Sequence, residues 1–234
     1  NNNYRLSNLI LEIEKNFGVE RIRYTTSHPK DMTDDLIEVY KESKKLMPLV
    51  HLPVQSGSDK ILKSMNRKHT IKMYLEIFYK LKKINSKIEF SSDFIIAYPG
   101  ETDSDFRETL KLIDEIKFIN SFSFIFSPRP GTVASDLPII DKKISLERLE
   151  IVQQKLFNNQ IMMNKSLENN TINVLVENRS DDRSKLFSRS EYMTSVLFSG
   201  NDDLIGKIVK VKIQNSNQNT LLGEVVVQSN QKVA

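Results

Sequence analysis

Cysteine is absent from this 234-residue sequence. Without a thiol, the chain cannot form a disulfide, supply a thiolate nucleophile or hold a metal through sulfur. Its three histidines, His28, His51 and His69, lack the spacing of metal ligands. His51 lies within a predicted strand, which favours a hydrogen-bonded core histidine. We therefore predict no metal site within this chain.

Long apolar segments are also absent. No run approaches the roughly 20 residues that a membrane-spanning helix needs, and the first residues lack the regions of a signal peptide. The sequence has neither a G-x-G-x-x-G loop nor a P-loop. Its 34 basic and 30 acidic residues give a mixed surface, which is compatible with nucleic acid but does not indicate it. We expect a cytoplasmic globular protein with no membrane partner.

The most informative stretch runs from residue 90 to residue 102. It begins with an apolar run, residues 90–97, that is interrupted by Asp93 and is typical of a strand buried in a parallel sheet. A Pro-Gly turn follows. Thr102, with Asp105 three residues later, then predicts a capping box at the start of a helix.

Helices and strands alternate along the first part of the chain, as they do in a parallel α/β sheet or barrel. Strands are predicted at residues 21–25, 49–52, 90–97 and 122–126. Four strands are too few to close a barrel of about eight. Either the sheet is open or its beginning lies outside this sequence.

The remainder reads as a long helix that opens near Ser145, followed by a small all-β domain. Past residue 169, short alternating segments separated by polar turns fit an antiparallel barrel of about five strands. The predicted domains are residues 1–141, a partial βα barrel; residues 142–168, a connecting helix; and residues 169–234, a β-barrel.

Unusual residues collect in the loops that follow the predicted strands. These loops are residues 28–29, 55–57, 98–101 and 127–131. Ligands of parallel α/β sheets bind beyond the carboxyl ends of the strands. Each loop alone is compatible with ordinary turn chemistry, but four such loops at one edge favour a composite binding site.

Four segments, in this order and spacing, resemble the radical S-adenosylmethionine (SAM) methylthiotransferases. They are HLPVQSGSD at 51–59, MNRKHT at 65–70, SSDFIIAYPGET at 91–102 and FSFIFSPRPGT at 122–132. The tail from about residue 169 resembles the TRAM domain, an RNA-binding β-barrel. The first and last segments favour the branch that acts on tRNA. The resemblance implies an α/β fold: a partial, TIM-like radical SAM βα barrel, a long helix and a TRAM barrel.

The resemblance also implies the reaction and its partners. A 4Fe-4S cluster cleaves SAM reductively, and a methylthio group is installed at adenine C2 of N6-isopentenyladenosine beside the anticodon. The implied partners are the tRNA anticodon stem-loop and an electron donor such as flavodoxin or ferredoxin, and a full-length monomer is expected. Two alternatives stay open. One is a non-catalytic RNA-binding remnant, and the other is a sister methylthiotransferase for threonylcarbamoyl-adenosine tRNA or a ribosomal protein.

By position, the resemblance assigns cofactor binding to Gln55, Ser56, Arg67, Asp93, Ala97 and Ser127. The first two would face the methionine or ribose end of SAM, and Arg67 would pair with the methionine carboxylate. The backbone at the last two would line the adenine, with Asp93 in a supporting role. These residues would bind and orient, so no catalytic residue is expected in this chain. The alternatives are a surface position for Arg67 and a buried backbone partner for Asp93.

Two features depart from the family pattern. Ala97 stands where the family commonly has glycine, which would slightly hinder a close backbone approach to adenine. The family also needs a C-x-x-x-C-x-x-C loop, and this chain has no cysteine. We therefore expect the cluster ligands in an amino-terminal part that is missing from this sequence.

RNA contacts are expected on the tail, at Lys185, Phe187, Arg189, Lys207, Lys210 and Lys212. Alternation along a strand gives the first three one common face, and the last two another. An aromatic ring among cations suits an unpaired base and its phosphates. Residues 169–234 hold eight Lys and Arg against seven Asp and Glu, so binding depends on local placement. In the alternative interpretation, Phe187 belongs to the core and the lysines are solvated edge charges.

Overall fold

The structure, a computed structural model, describes residues 4–25, 28–181 and 183–226. Residues 1–3, 26–27, 182 and 227–234, which the predicted domain ranges include, lie outside the described residues. The chain divides into two compact units, residues 1–156 and 157–234. Within the described ranges, no helix is both long enough and apolar enough to cross a membrane.

The first unit alternates helices with short strands. Its helices are α1 (Leu6–Asn16), α2 (Asp34–Glu42), α3 (Asp59–Ser64), α4 (Ile71–Ile84), α5 (Asp103–Ile116) and the first part of α6 (Lys142–Ser166). Its strands are β1 (Leu49–His51), β2 (Glu89–Ser91), β3 (Asp93–Ile96) and β4 (Phe122–Ile125).

These strands form one parallel arrangement. β1 pairs with β2, and β3 pairs with β4. A parallel bridge between Gln55 and Phe94 continues the pairing past the end of β1, and a bridge between Ile22 and Leu46 adds a segment on the other side. The predicted α/β class with a parallel sheet is confirmed.

The strand predicted at residues 21–25 was wrong. These residues form only a single bridge, at Ile22, which is the one buried residue among them. The long helix begins at Lys142, where the predicted connecting helix of residues 142–168 starts, and not near Ser145, because the Asp141 carboxylate accepts hydrogen bonds from the first backbone N–H groups of the helix.

The apolar run predicted as one strand at residues 90–97 is two strands, β2 and β3, separated at Ser92. The Ser92 hydroxyl accepts a hydrogen bond from Val54 N at 2.9 Å, and its own N–H donates to Ser121 Oγ at 2.9 Å. Side chain and backbone of this serine therefore replace regular ladder bonds, and the strand is interrupted there.

The two faces of the sheet differ in burial. One face is buried against the helices and carries Val50, Phe90, Phe94 and Ile96, together with apolar residues from α1, α2, α4, α5 and α6. The opposite face carries Phe122 and Phe124, whose stacked rings lie 6.4 Å apart and whose side chains are 60% and 56% exposed. Helices therefore cover only one face of the sheet within the described residues.

The turn from β3 into α5 has the predicted capping box. The Thr102 hydroxyl accepts from Asp105 N, and the Asp105 carboxylate accepts from Thr102 N at 2.8 Å. Asp105 also accepts hydrogen bonds from Ser58 Oγ and Lys60 Nζ, both at 2.8 Å. Burial opposes its ionisation, but the hydrogen bonds from Lys60, Thr102 and Ser58 outweigh burial and hold the pKa of Asp105 well below its usual range.

A buried ion pair anchors the same turn to α6. Arg148 donates to Glu101 Oε1 at 2.9 Å and to Asp103 Oδ1 at 2.6 Å. The other Glu101 oxygen accepts from Ala97 N at 3.0 Å. The side chains of Arg148 and Glu101 are 8% and 3% exposed, and burial raises the pKa of Glu101 despite the neighbouring Arg148 charge.

The second unit is a closed barrel. Its strands are β5 (Thr171–Arg179), β6 (Leu186–Ser190), β7 (Ser195–Ser199), β8 (Ile208–Ser216) and β9 (Thr220–Val225), in the order β5-β6-β7-β9-β8. The core contains Val174, Val176, Leu186, Val196, Phe198, Val211, Ile213 and Leu221. The five strands are confirmed, but β7 and β9 are parallel. A fully antiparallel barrel was the wrong prediction, because strand direction cannot alternate around a ring with an odd number of strands.

Replacing Gly57 with alanine should destabilise the first unit. A Cβ at Gly57 would lie 2.4 Å from Thr109 Cα and 2.6 Å from Glu108 O, so the loop after β1 would be forced away from α5. We expect a loss of about 1–3 kcal/mol in the free energy of unfolding, measured by urea denaturation. Gly18→Ala is the control because nothing lies within 4 Å of its Cβ position. Equal stability of the two variants would contradict this packing.

Replacing Arg148 with methionine should destabilise the protein in a pH-dependent manner. The variant would leave Glu101 buried without its partner, which costs about 3–5 kcal/mol at neutral pH. Because the folded-state pKa of Glu101 is raised, the folded state binds the extra proton, and the loss should shrink as pH falls from 8 to 5. Lys155→Met, which breaks the more exposed Lys155–Asp114 pair on the same helix, should cost no more than ~1 kcal/mol at either pH. A pH-independent loss in Arg148→Met would contradict the assignment.

Candidate cofactor edge and nucleic-acid interface

Two residues at the carboxyl edge of the sheet have strained backbone. Gln55 has φ of 77° and Ala97 has φ of 58°, and both residues are buried. A left-handed conformation costs non-glycine residues roughly 1–2 kcal/mol, and such strain clusters at ligand sites. Glycine, which the resemblance implies as the common residue at position 97, would adopt this φ without strain.

Hydrogen bonds to β3 hold Gln55 in place, and a hydrogen bond to Glu101 holds Ala97. Gln55 N donates to Asp93 O at 3.0 Å, and Ile95 N donates to Gln55 O at 2.9 Å. Ala97 N donates to the Glu101 carboxylate. The structure therefore brings Gln55 and Asp93, two of the predicted cofactor residues, into direct backbone contact.

The Asp93 side chain lies on the open face of the sheet. Its carboxylate is 31% exposed and lies 3.6 Å from His51 Nε2. His51 Nδ1 is 2.9 Å from Ser91 Oγ. His51 is hydrogen-bonded as predicted, but its 23% exposed side chain lies on the open face rather than in the core.

The two predicted serines have different surroundings. Ser56 is buried, accepts from Ser58 N at 3.2 Å and lies 3.5 Å from Thr109 Oγ1, so its side chain holds the loop after β1 against α5. Ser127 is exposed just after β4. The preceding residue, Phe126, donates its N–H to Ile96 O at 2.8 Å. This bond places the backbone before Ser127 beside the strand end that carries Ala97.

Arg67 follows α3 and is half-buried rather than lying free on the surface. Burial lowers its pKa. In the part of the chain that the structure describes, its guanidinium forms no hydrogen bond or ion pair, and the structure shows no contact between it and the other five predicted cofactor residues. Its positive charge adds to the effect of burial in lowering the pKa values of His28 and His69.

On the barrel, the predicted common face of Lys185, Phe187 and Arg189 is confirmed. All three are half-buried and alternate with buried residues of β6. Assignment of Phe187 to the core was therefore the wrong alternative. The Arg189 guanidinium lies 4.8 Å from the centre of the Phe187 ring and donates to Met193 O and Ser195 Oγ.

An apolar row crosses the outer surface of the barrel at Phe187. This residue is opposite Leu197 on β7, which is in turn opposite Leu222 on β9. All three side chains are half-buried. A planar group such as a nucleobase could therefore pack against this apolar row, next to the Arg189 guanidinium.

The three predicted lysines near β8 are exposed. Lys210 is opposite Asn173 of β5, and Lys212 is opposite both Thr171 of β5 and Glu224 of β9. Glu177 of β5 lies 3.7 Å from Arg189. Carboxylates thus offset part of the positive charge on this surface.

The residues that sequence reasoning missed are Glu101 and Arg148. Glu101 and Arg148 are 47 positions apart, so no local pattern joins them. The one available signal was the helical spacing of Arg148, which places it on the same face of α6 as Ser145 and Val152, both of which are buried.

The residues of this chain do not fit an iron-sulfur cluster. The sequence has no cysteine, and the described residues contain no group of three or more His, Asp or Glu side chains suited to a metal ion. The edge offers left-handed backbone at the buried residues Gln55 and Ala97, and Arg67, which follows α3, is a half-buried cation without an ion pair within the described residues.

Known proteins match both units. A sequence profile of the Radical SAM superfamily matches residues 2–113, and one of the TRAM domain matches residues 165–226. The Pelagibacter ubique protein named tRNA-2-methylthio-N(6)-dimethylallyladenosine synthase is 65% identical over 231 residues, 99% of this chain and 52% of its own length.

Two further relatives carry the same name. The Anaplasma phagocytophilum protein is 44% identical over 234 residues, covering 98% of this chain and 53% of its own length. The Ruthia magnifica protein is 46% identical over 222 residues, covering 94% of this chain and 49% of its own. The chain spans about half the length of these relatives. The chain carries segments that match the Radical SAM superfamily and the TRAM domain, in the order that the sequence predicted, and over nearly its whole length it is similar to proteins named tRNA-2-methylthio-N(6)-dimethylallyladenosine synthase.

Proposed function

We propose that this chain is the SAM-binding and tRNA-binding part of a cytoplasmic enzyme that methylthiolates adenine C2 of N6-isopentenyladenosine beside the anticodon. The observation that carries the proposal is 65% identity, over 99% of this chain, to a relative named tRNA-2-methylthio-N(6)-dimethylallyladenosine synthase. The ligands of the 4Fe-4S clusters come from protein outside this chain, because the chain has no cysteine. Electrons come from a donor of the flavodoxin or ferredoxin type, and the complete enzyme is a monomer.

The residues of this chain bind and orient SAM, which supplies the radical chemistry when bound. Arg67 pairs with the methionine carboxylate, which accepts its N–H groups. The backbone at Ala97 and before Ser127 lines the adenine, and Gln55 faces the methionine or ribose end. Ser56 and Asp93 hold the loop and the strand end in place through the contacts described above.

A chimera tests the proposed activity. The part of the Pelagibacter ubique relative that lies outside the matched segment is fused to this chain, and methylthiolation of tRNA containing N6-isopentenyladenosine is measured by mass spectrometry of its nucleosides. We expect methylthiolated product, because the chain supplies the SAM-binding edge and the RNA-binding barrel. Arg67→Gln in the same chimera should raise the KM for SAM.

The unmodified relative serves as the control for cofactor loading. A chimera that holds its clusters and cleaves SAM but yields no product on this tRNA would overturn the assignment. Product on threonylcarbamoyl-adenosine tRNA or on a ribosomal protein instead would select a sister methylthiotransferase. RNA binding without SAM cleavage would support a non-catalytic remnant.

The barrel should bind an anticodon stem-loop through stacking and a few phosphate contacts. Phe187→Ala should weaken binding by ~1–3 kcal/mol without changing its salt dependence, because the ring stacks on a base. Lys210→Ala should flatten the plot of log affinity against log salt by about one unit, because one phosphate contact is lost. Fluorescence anisotropy of the full chain across a salt series measures both effects.

Lys41→Ala provides a charge-matched control. Lys41 is exposed on α2 in the first unit, so its removal should leave both affinity and salt slope unchanged. If Phe187→Ala unfolds the chain in a thermal melt, or if wild-type binding has no salt slope, the RNA-binding assignment of this surface is wrong.

A further inference from the structure

A pocket of about 470 Å³ opens on the outer surface of the barrel, over β7 and β9. Leu197 and Leu222, which belong to the apolar row that begins at Phe187, line one side of it. Leu197 is also opposite Phe187 on the neighbouring strand, so the pocket is continuous with the surface assigned to base stacking. Its volume lies in the range of roughly 300–1,000 Å³ that is usual for ligand sites. The pocket is therefore a candidate for a second contact with the same ligand.

The other side of the pocket carries charge of both signs. Glu224 lies two residues after Leu222 on β9, so the two side chains share the outer face of the strand. Lys185, two residues before Phe187, lines the same pocket. Neither side chain forms an ion pair in the part of the chain that the structure describes. A carboxylate repels phosphate, so Glu224 weakens RNA binding at this surface unless it accepts a hydrogen bond from the RNA.

A bulge in β8 brings two amide side chains to the pocket. The register of β8 against β9 shifts between Ile213 and Asn215, which leaves Gln214 as an extra residue. Bulges of this kind redirect side chains, and here Gln214 and Asn215 are both exposed and line the pocket. Asn215 Oδ1 accepts a hydrogen bond from Ser216 N at 2.7 Å, which leaves the amide NH₂ group to donate. The pocket thus combines an apolar side with amide donors and a carboxylate acceptor.

We propose that this pocket binds an unpaired RNA base that carries an exocyclic amino group, and that Glu224 selects this base. The flat ring packs against Leu197 and Leu222, and its amino group donates to the Glu224 carboxylate, as the cytosine amino group does to carboxylates in other complexes. Uracil has a carbonyl oxygen where cytosine has this amino group, and the carboxylate repels that oxygen. Lys185 pairs with the phosphate of the bound nucleotide. The inference rests on the proposed function, which makes RNA the ligand of the barrel.

Two pyrimidine homopolymers test the selection. Binding of the full chain to single-stranded cytidine and uridine oligonucleotides of equal length is measured by fluorescence anisotropy at neutral pH. The two bases have the same ring size and the same phosphates, so stacking on Phe187 and contacts with lysine are matched. We expect cytidine to bind about tenfold more tightly than uridine, because only cytosine donates an amino N–H to the carboxylate.

Two variants separate base selection from diffuse charge. Glu224→Gln should bring the ratio of the two affinities close to one, because an amide can donate to uracil as well as accept from cytosine. Glu177→Gln removes the same charge near Arg189, outside this pocket, and should raise both affinities while the ratio stays at its wild-type value. A wild-type ratio near one overturns the pocket. The same holds if Glu224→Gln raises both affinities equally, or if Glu177→Gln lowers the ratio to the same extent as Glu224→Gln.

The outcome is independent of the activity test. Salt-dependent RNA binding that requires Phe187 but does not distinguish cytidine from uridine would overturn the pocket and leave the proposed function standing. A cytidine preference that Glu224→Gln removes, together with a cluster-loaded but inactive chimera, would leave the pocket standing and overturn the proposed function.

Discussion

The Glu101 carboxylate holds the carboxyl end of β3 in a conformation that its sequence does not favour. One oxygen accepts the N–H of Ala97, a residue with φ of 58°, and the other accepts from Arg148 of α6. Because burial raises the pKa of Glu101, its ionised form depends on the Arg148 charge. The backbone conformation at the end of β3 therefore depends on the Glu101–Arg148 ion pair, although this pair is not part of the candidate cofactor edge.

The loop after β1 depends on α5 in a similar way. Gly57 N donates to Thr109 Oγ1 at 2.9 Å, and the Ser56 side chain lies against the same hydroxyl. These contacts fix the chain beside Gln55, the second residue with strained backbone. Both strained positions are thus imposed by side chains of the covering helices and turns. A binding site whose backbone contacts a ligand needs surrounding residues that hold this backbone in position, and the contacts from α5 and Glu101 do so here.

Sequence reasoning succeeded where the deciding interactions are local. The capping box of Thr102 and Asp105 spans three residues, and the alternation around Phe187 needs only neighbouring positions on one strand. The predictions failed where residues far apart in the sequence determine the local structure. The break at Ser92 depends on Val54 and Ser121, which are 38 and 29 positions away. The edge-to-face contact between His28 and His69 could not be predicted either, since the two residues are far apart in the sequence.

The outer surface of the barrel limits how RNA can be held there. Cations and carboxylates alternate across it, with Glu177 near Arg189 and Glu224 opposite Lys212. Attraction to phosphates is therefore partly cancelled at short range. The apolar row that begins at Phe187 does not depend on charge, so carboxylates do not weaken it. The Arg189 guanidinium packs against one face of the Phe187 ring. On the proposed function, stacking of an unpaired base supplies the larger share of binding, and the lysines orient the backbone around it.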